Sequence, residues 1–201
     1  FTQKGGAVLA TTIDKYCYLT CRFLPPFFEH RFRIVYTNIE NCHSVDEIKH
    51  PAAREVLRYM EITQGVEIHH DGDLPARSGM GTSSSFTVGL LHAVYALKGQ
   101  MPTKQTLASE SIMIEHDMMA ETVGCQDQIL AAHGGLNHVT FAMDGSHNVQ
   151  PLTLPKERID LLNDHLMLLF TGVSRTSSEV AGGYVEDMIA KENQLNSMKA
   201  M

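Results

Sequence analysis

The stretch from Asp73 to Gly99, DLPARSGMGTSSSFTVGLLHAVYALKG, leaves this chain little freedom. A turn with two glycines and a run of hydroxyls passes directly into an apolar stripe. Gly79 and Gly81 lack a Cβ, so the backbone there can take up positive φ and lie close to a ligand. Thr82, Ser83, Ser84 and Ser85 offer hydroxyls and favour a helix start. Phe86, Leu90, Leu91, Val94 and Leu97 then recur at the spacing of one buried helix face. Lys98 and Gly99 form the stop, a cation at the negative end followed by a residue tolerant of a left-handed cap. The helix therefore starts among the serines. A helix start presents unpaired N–H groups and roughly half a positive charge, which suits an anion such as a nucleotide polyphosphate. The turn is not a Walker loop, because no Gly-Lys-Ser/Thr closes it, nor a dinucleotide fingerprint, because Ser84 stands where the third glycine belongs. A glycine turn with an ordinary serine-capped helix accounts for the same residues, so the stretch alone leaves both readings open.

A second helix is predicted over about 104–119, capped by Thr103. Its apolar stripe runs through Leu107, Ala108, Ile112, Ile114 and Met118, and Glu115 falls inside it, whereas Glu110 and Asp117 fall at its edge or outside. A carboxylate on a buried face is costly unless a cation compensates its desolvation. Magnesium fits, since it takes oxygen ligands and shares them with phosphate. A structural salt bridge or a tilted helix fits equally.

Around these two helices the chain reads as α+β, strands first and then helices and strands mixed. AVLATTIDKYCYLTCRF reads as one long strand or two consecutive ones, broken by Pro25-Pro26, and RFRIVYT as a half-buried strand pairing antiparallel with it. HPAAREVLRYMEI is helical, with Pro51 in the first turn. GVEIHH is a short strand whose His69 and His70 point to opposite faces as surface or loop-edge residues. Gly124 precedes a short helix carrying Asp127; LNHVTF and VQPLTL are strands, and ERIDLLN is a short helix. HLMLLFTG, the most hydrophobic strand, is expected at the centre of a sheet. Beyond it, TGVSRTSS is a polar loop in which Gly172 and Arg175 can hold a substrate phosphate, or merely start the last helix. Lys15, beside Asp14, is either a second phosphate ligand or half of a solvated charge pair.

Composition narrows the function. With 201 residues, 43% of them hydrophobic, the chain can bury a real core without staples. A net charge of −7 argues against a basic nucleic-acid surface, so an anionic substrate must be met by local side chains. Cys17, Cys21, Cys42 and Cys125 form no CxxC pair and read as buried free thiols. No apolar run is long enough to cross a bilayer and no signal peptide is visible, which makes the cytoplasm the expected location. The ends are abrupt and read as those of a trimmed chain.

Pro75-Ala76-Arg77-Ser78-Gly79-Met80-Gly81-Thr82-Ser83-Ser84-Ser85 resembles the Pro-x-x-x-Gly-Leu-Gly-Ser-Ser signature of the galactokinase, homoserine kinase, mevalonate kinase and phosphomevalonate kinase (GHMP) superfamily. Glu115-His116 and Gly124-Cys125-Gln126-Asp127-Gln128 resemble its helix glutamate and its Gly-x-x-Asp-Gln segment, in the same order. Within the superfamily, GGAVLATTIDKY, RFRIVYT, HPAAREVL and FTGVSRTSSE are similar to the bacterial D-glycero-D-manno-heptose 7-phosphate kinases. The resemblance implies a GHMP-type N-terminal ATP-binding domain over 1–160, without its first strand region, and the beginning of a C-terminal α+β domain over 161–201. It further implies that Gly79, Met80, Gly81, Thr82, Ser83, Ser84 and Ser85 wrap the ATP phosphates, that Ser83 and Glu115 hold Mg²⁺, and that Asp127 is the catalytic carboxylate facing the sugar's anomeric hydroxyl, as general base or as an orienting acceptor. Gly172, Arg175 and Lys15 become its candidates for the sugar phosphate. ATP and a small sugar phosphate are the implied partners, with a homodimer compatible. A related fucose- or galactose-type kinase and a non-catalytic nucleotide or sugar sensor remain as alternatives.

Overall fold

The computed structural model describes residues 5–76, 78–121, 123–169 and Ser197. The opening β-rich stretch is two strands, β1 (Gly6–Thr11) and β2 (Cys17–Phe23), which lie in different sheets. A tight hairpin of β3 (Phe32–Val35) and β4 (Ile39–Cys42) follows, and then α1 (Pro51–Tyr59) and β5 (Val66–Gly72). Next come α2 (Thr82–Leu97), α3 (Lys104–Met113), α4 (Gln126–His133), β6 (Leu136–Phe141), β7 (His147–Pro151) and α5 (Lys156–Asp164).

The larger sheet has the order β2-β5-β3-β4, with β5 antiparallel to β2 and parallel to β3. RFRIVYT therefore does not pair with the first strands, as its sequence suggests; β5 lies between them. The burial pattern explains the insertion. Val66, Glu67 and Ile68 are all buried, as a strand flanked on both sides must be, while β2 alternates between half-buried and exposed positions as an edge strand can. The smaller sheet, β1-β6-β7, is antiparallel throughout, Val8 standing opposite Val139 and Val139 opposite Val149.

The main core is formed where the larger sheet meets α1 and α2. Ile34, Ile68, Val56, Leu57, Leu90 and Leu91 are at most 1% exposed, and each such aliphatic side chain contributes about 1.5–3 kcal/mol of burial. Gly89 faces β2 across this seam, and a Cβ there would lie 2.7 Å from the Leu19 Cδ1 atom, the movable tip of that side chain. A second cluster, Ala108, Ile129, Val139 and Phe141, seats α3 and α4 on the smaller sheet. Helix ends are fixed locally. Thr103 accepts the Thr106 N–H at 3.0 Å, and the His50 Nδ1 atom accepts the Ala53 N–H at 3.3 Å ahead of Pro51. Glu40, buried, accepts the N–H groups of Lys49 and His50 and the Tyr36 hydroxyl.

Two expectations change. HLMLLFTG is not a central strand in its described part: residues 166–169 have no regular structure, and Leu166, Met167, Leu168 and Leu169 are exposed. Hydrophobicity selects burial only where a neighbouring strand is offered, and among the described residues none pairs with this segment. The helix over 104–119 is likewise not uniform, because α3 ends at Met113 and Ile114–Met118 is a π-helical turn. No helix among the described residues is long and apolar enough to cross a membrane.

Candidate active site

One cavity of about 610 Å³ is lined by residues from the glycine turn, α2, the π-helical turn and α4. Its walls include Gly79, Met80, Gly81, Thr82, Ser83, Ser84 and Ser85, together with Glu115, Asp127 and Lys15. Segments as distant in sequence as Lys15 and Asp127 thus face one space.

The glycine turn is built by backbone geometry. Gly79 and Gly81 have φ of +73° and +68°, values that any residue with a Cβ resists. Gly81 is the residue before the first turn of α2, in the left-handed region, and no side chain caps the helix. The expected serine cap is therefore absent. Thr82, Ser83 and Ser84 belong to the first helical turn itself, so its leading N–H groups are not consumed by a neighbouring hydroxyl and face the cavity end of the helix. Gly81 has a second reason to be glycine, because a Cβ would stand 3.1 Å from the Cγ atom of Asp127. The cradle and the acid are in close apposition.

Glu115 is 1% exposed, as its place in the apolar stripe suggests. The π-helical turn carries it, a local widening that re-aims side chains and recurs at functional sites. Its Oε2 atom accepts two hydrogen bonds, from the Ser84 hydroxyl at 2.9 Å and from the Gln128 amide at 2.5 Å. Its Oε1 atom is buried with no partner among the described residues, and no Lys or Arg among them forms an ion pair with it. The salt-bridge reading of this acid is thereby removed. Of the two serines, Ser84 is buried and bonded to Glu115, whereas Ser83 is exposed to the cavity and its carbonyl accepts the Thr87 hydroxyl. An unpartnered carboxylate oxygen with an open hydroxyl on the same wall is a hard-oxygen donor set that suits a magnesium ion shared with phosphate. Sequence reasoning passed over Gln128; its mark in the sequence was its place on the apolar side of α4, next to Asp127.

Asp127 is open to the cavity but packed on one side, and this partial burial raises its carboxyl above the usual aspartate value. Glu121, also on the wall, is raised by burial first and by the nearby Glu115 charge second. Lys15 lines the cavity and lies 3.8 Å from Asp14, so the pairing and the wall position coexist. His50, His70 and Phe86 also line the cavity. The His50 ring stacks on Phe86 at 4.4 Å and His70 meets Phe86 edge-on at 5.1 Å. His70 is thus a wall residue of the cavity rather than a surface one, and burial lowers both histidines below the ordinary 6.5. Cys17 also lines the space, with its thiol pushed up to about 11 by burial, and Cys21 is pushed up to about 12; neither is a ready thiolate. All four cysteines are free, and no group of three or more His, Cys, Asp or Glu among the described residues could bind a metal unaided. Gly172, Arg175 and Arg77 lie outside the described residues.

The site is thus a glycine turn that opens a helix onto two carboxylates within an α+β domain, and the unpaired N–H groups of such a helix start suit an anion. Residues 47–135 match the model of the GHMP kinases N terminal domain. D-glycero-alpha-D-manno-heptose 7-phosphate kinase of Campylobacter jejuni is 26% identical over 161 residues, covering 80% of this chain and 47% of the relative. The chain therefore spans about half the length of the curated relative it matches. Among solved structures, a D-glycero-D-manno-heptose 1-phosphate kinase from Bacteriodes thetaiotaomicron superposes with a TM-score of 0.69 at 24% identity, over 78% of this chain and 54% of that one. Lactococcus lactis galactokinase complexed with galactose superposes with a TM-score of 0.58 at 16% identity, over 77% and 44%. These superpositions bear on the fold.

Proposed function

We propose that this chain is the nucleotide-binding part of an ATP-dependent kinase that phosphorylates the anomeric hydroxyl of a sugar phosphate, D-glycero-D-manno-heptose 7-phosphate, giving the 1,7-bisphosphate. The observation that carries the reading is the convergence of Ser83, Glu115 and Asp127 on one cavity at the start of α2. Residues 1–160 are assigned to the ATP-binding domain and 161–201 to the beginning of a C-terminal domain.

In this reading the turn from Gly79 to Ser85 receives the phosphates of ATP through backbone N–H groups and hydroxyls. Ser83 and Glu115 hold Mg²⁺, which when bound supplies neutralisation of the phosphate charge. Asp127 faces the sugar hydroxyl as base or orienting acceptor, and its raised carboxyl suits proton acceptance better than an ordinary aspartate would. Lys15, with Gly172 and Arg175, meets the phosphate the sugar already carries. Because phosphoryl transfer passes through a loose transition state, holding donor and acceptor in line supplies much of the rate.

The full-length protein incubated with heptose 7-phosphate and Mg·ATP is expected to release ADP, and faster than with fucose or galactose. Asp127→Asn is expected to lower turnover by about 10²–10⁴-fold. Undiminished turnover in that variant, or ATP binding with no phosphorylation of any sugar, would discard the assignment.

A further inference from the structure

The hydrogen bonds around Glu115 are unevenly distributed between its two oxygens. Both described donors, the Ser84 Oγ atom at 2.9 Å and the Gln128 Nε2 atom at 2.5 Å, go to Oε2, while Oε1 has none. All three residues are buried, Gln128 completely so. An ionised carboxylate is an acceptor with about four lone-pair sites, so leaving one oxygen bare in a buried place is costly unless something cationic is meant to meet it.

We infer that Gln128 and Ser84 are positioning residues that clamp one oxygen of Glu115 and so present the other as a single metal-ligand oxygen. The inference rests on the reading that Glu115 holds the divalent cation of the nucleotide. Both donors are neutral, so they orient the carboxylate without cancelling the charge that the cation needs. The amide orientation of Gln128 is forced, since a flipped amide would set its carbonyl against a carboxylate. Its own Oε1 atom is left buried without a partner, a cost that marks the Nε2 contact as the purpose of the side chain. Gln128 and Asp127 are consecutive in the first turn of α4, so about 100° of helical rotation separates them. Asp127 accordingly faces the cavity while Gln128 reaches back to Glu115. One turn of α4 thus fixes the separation between the acceptor-side acid and the metal-side acid. This is the kind of outer partner whose loss lowers metal affinity about 10–100-fold.

The test uses the full-length protein with a non-hydrolysable ATP analogue and Mn²⁺, whose free concentration is read by its paramagnetic resonance signal. Gln128→Leu keeps the volume and removes the donor; it is expected to weaken Mn²⁺ in the ternary complex about 10–100-fold. Raising the Mg²⁺ concentration is expected to restore much of its rate, which a merely structural lesion would not allow. Ser84→Ala, a smaller change, is expected to weaken Mn²⁺ by a few-fold and serves as the deciding variant if Gln128→Leu does not fold. Wild-type Mn²⁺ affinity in the folded variants overturns the clamp. Wild-type affinity in Glu115→Gln instead overturns the parent reading of Glu115 as metal ligand, so the two failures are told apart.

Discussion

Replacing Gly81 by alanine tests the closeness of the cradle to the acid. The new Cβ would lie 3.1 Å from the Cγ atom of Asp127 and 3.3 Å from its Cβ and Oδ2 atoms, so the acid must give way by a few tenths of an ångström. Left-handed backbone at φ +68° adds its own penalty, about 1–2 kcal/mol for a residue with a Cβ. Crowding of a packed contact adds about 1–3 kcal/mol. Gly79 provides the control, because its φ is +73° yet a Cβ there has nothing within 4 Å; alanine at that position meets only the backbone penalty. Without ligand, Gly81→Ala is therefore expected to melt below Gly79→Ala by about 2–12 °C, at roughly 2–4 °C per kcal/mol for a chain of this size. Turnover should fall with it. A misplacement of 1 Å costs about 10²-fold, so a shift of a few tenths predicts a loss of several-fold to ten-fold in kcat. Thermal melts of the apo proteins and a coupled ADP-release assay measure both. Equal melting temperatures for the two variants would show that the Gly81 to Asp127 contact constrains neither group.

Three other outcomes follow from the structure. Burial raises the Asp127 carboxyl, so the folded state holds its proton more tightly than the unfolded one, and stability is lost as pH rises through the raised value; Asp127→Asn should then melt above the parent at neutral pH and lose that advantage below pH ~3.8, the ordinary aspartate value. His50 behaves oppositely: burial lowers its pKa, so stability present above 6.5 is lost as pH falls below it, and a melting series across pH 7 to 5 should flatten in His50→Asn, which still offers the Ala53 N–H an acceptor. Gly65→Ala places a Cβ 2.7 Å from the Arg31 carbonyl oxygen, rigid backbone, and should cost about 1–3 kcal/mol, whereas Gly89→Ala meets only the tip of Leu19 and gains up to ~1 kcal/mol of helix propensity. Denaturant midpoints that rank Gly89→Ala as the worse of the pair would contradict the distinction between rigid and yielding neighbours.

Much of this protein was legible along the chain because the signals are local. The periodicity from Phe86 to Leu97, the caps at Thr103 and Pro51, the glycines at 79 and 81 and the burial of Glu115 each follow from a few neighbouring residues, and all appear in the structure. What failed was non-local. RFRIVYT carries no mark of which strand it will meet, and β5, more fully buried, takes the place beside β2 that proximity in sequence would give to β3. HLMLLFTG reads as a core strand by hydrophobicity, yet a strand forms only against a partner, and none of the described strands pairs with it.

The chain by itself decides that a glycine turn opens a helix among the hydroxyls and that one acid is buried, since backbone φ and helical period are properties of short segments. Tertiary structure alone decides which serine holds that acid, that Gln128 reaches it from another helix, and that His70 and Phe86 wall the same space. Side-chain direction across helices depends on how α2, the π-helical turn and α4 are packed together, and packing is settled by the whole core rather than by any stretch within it.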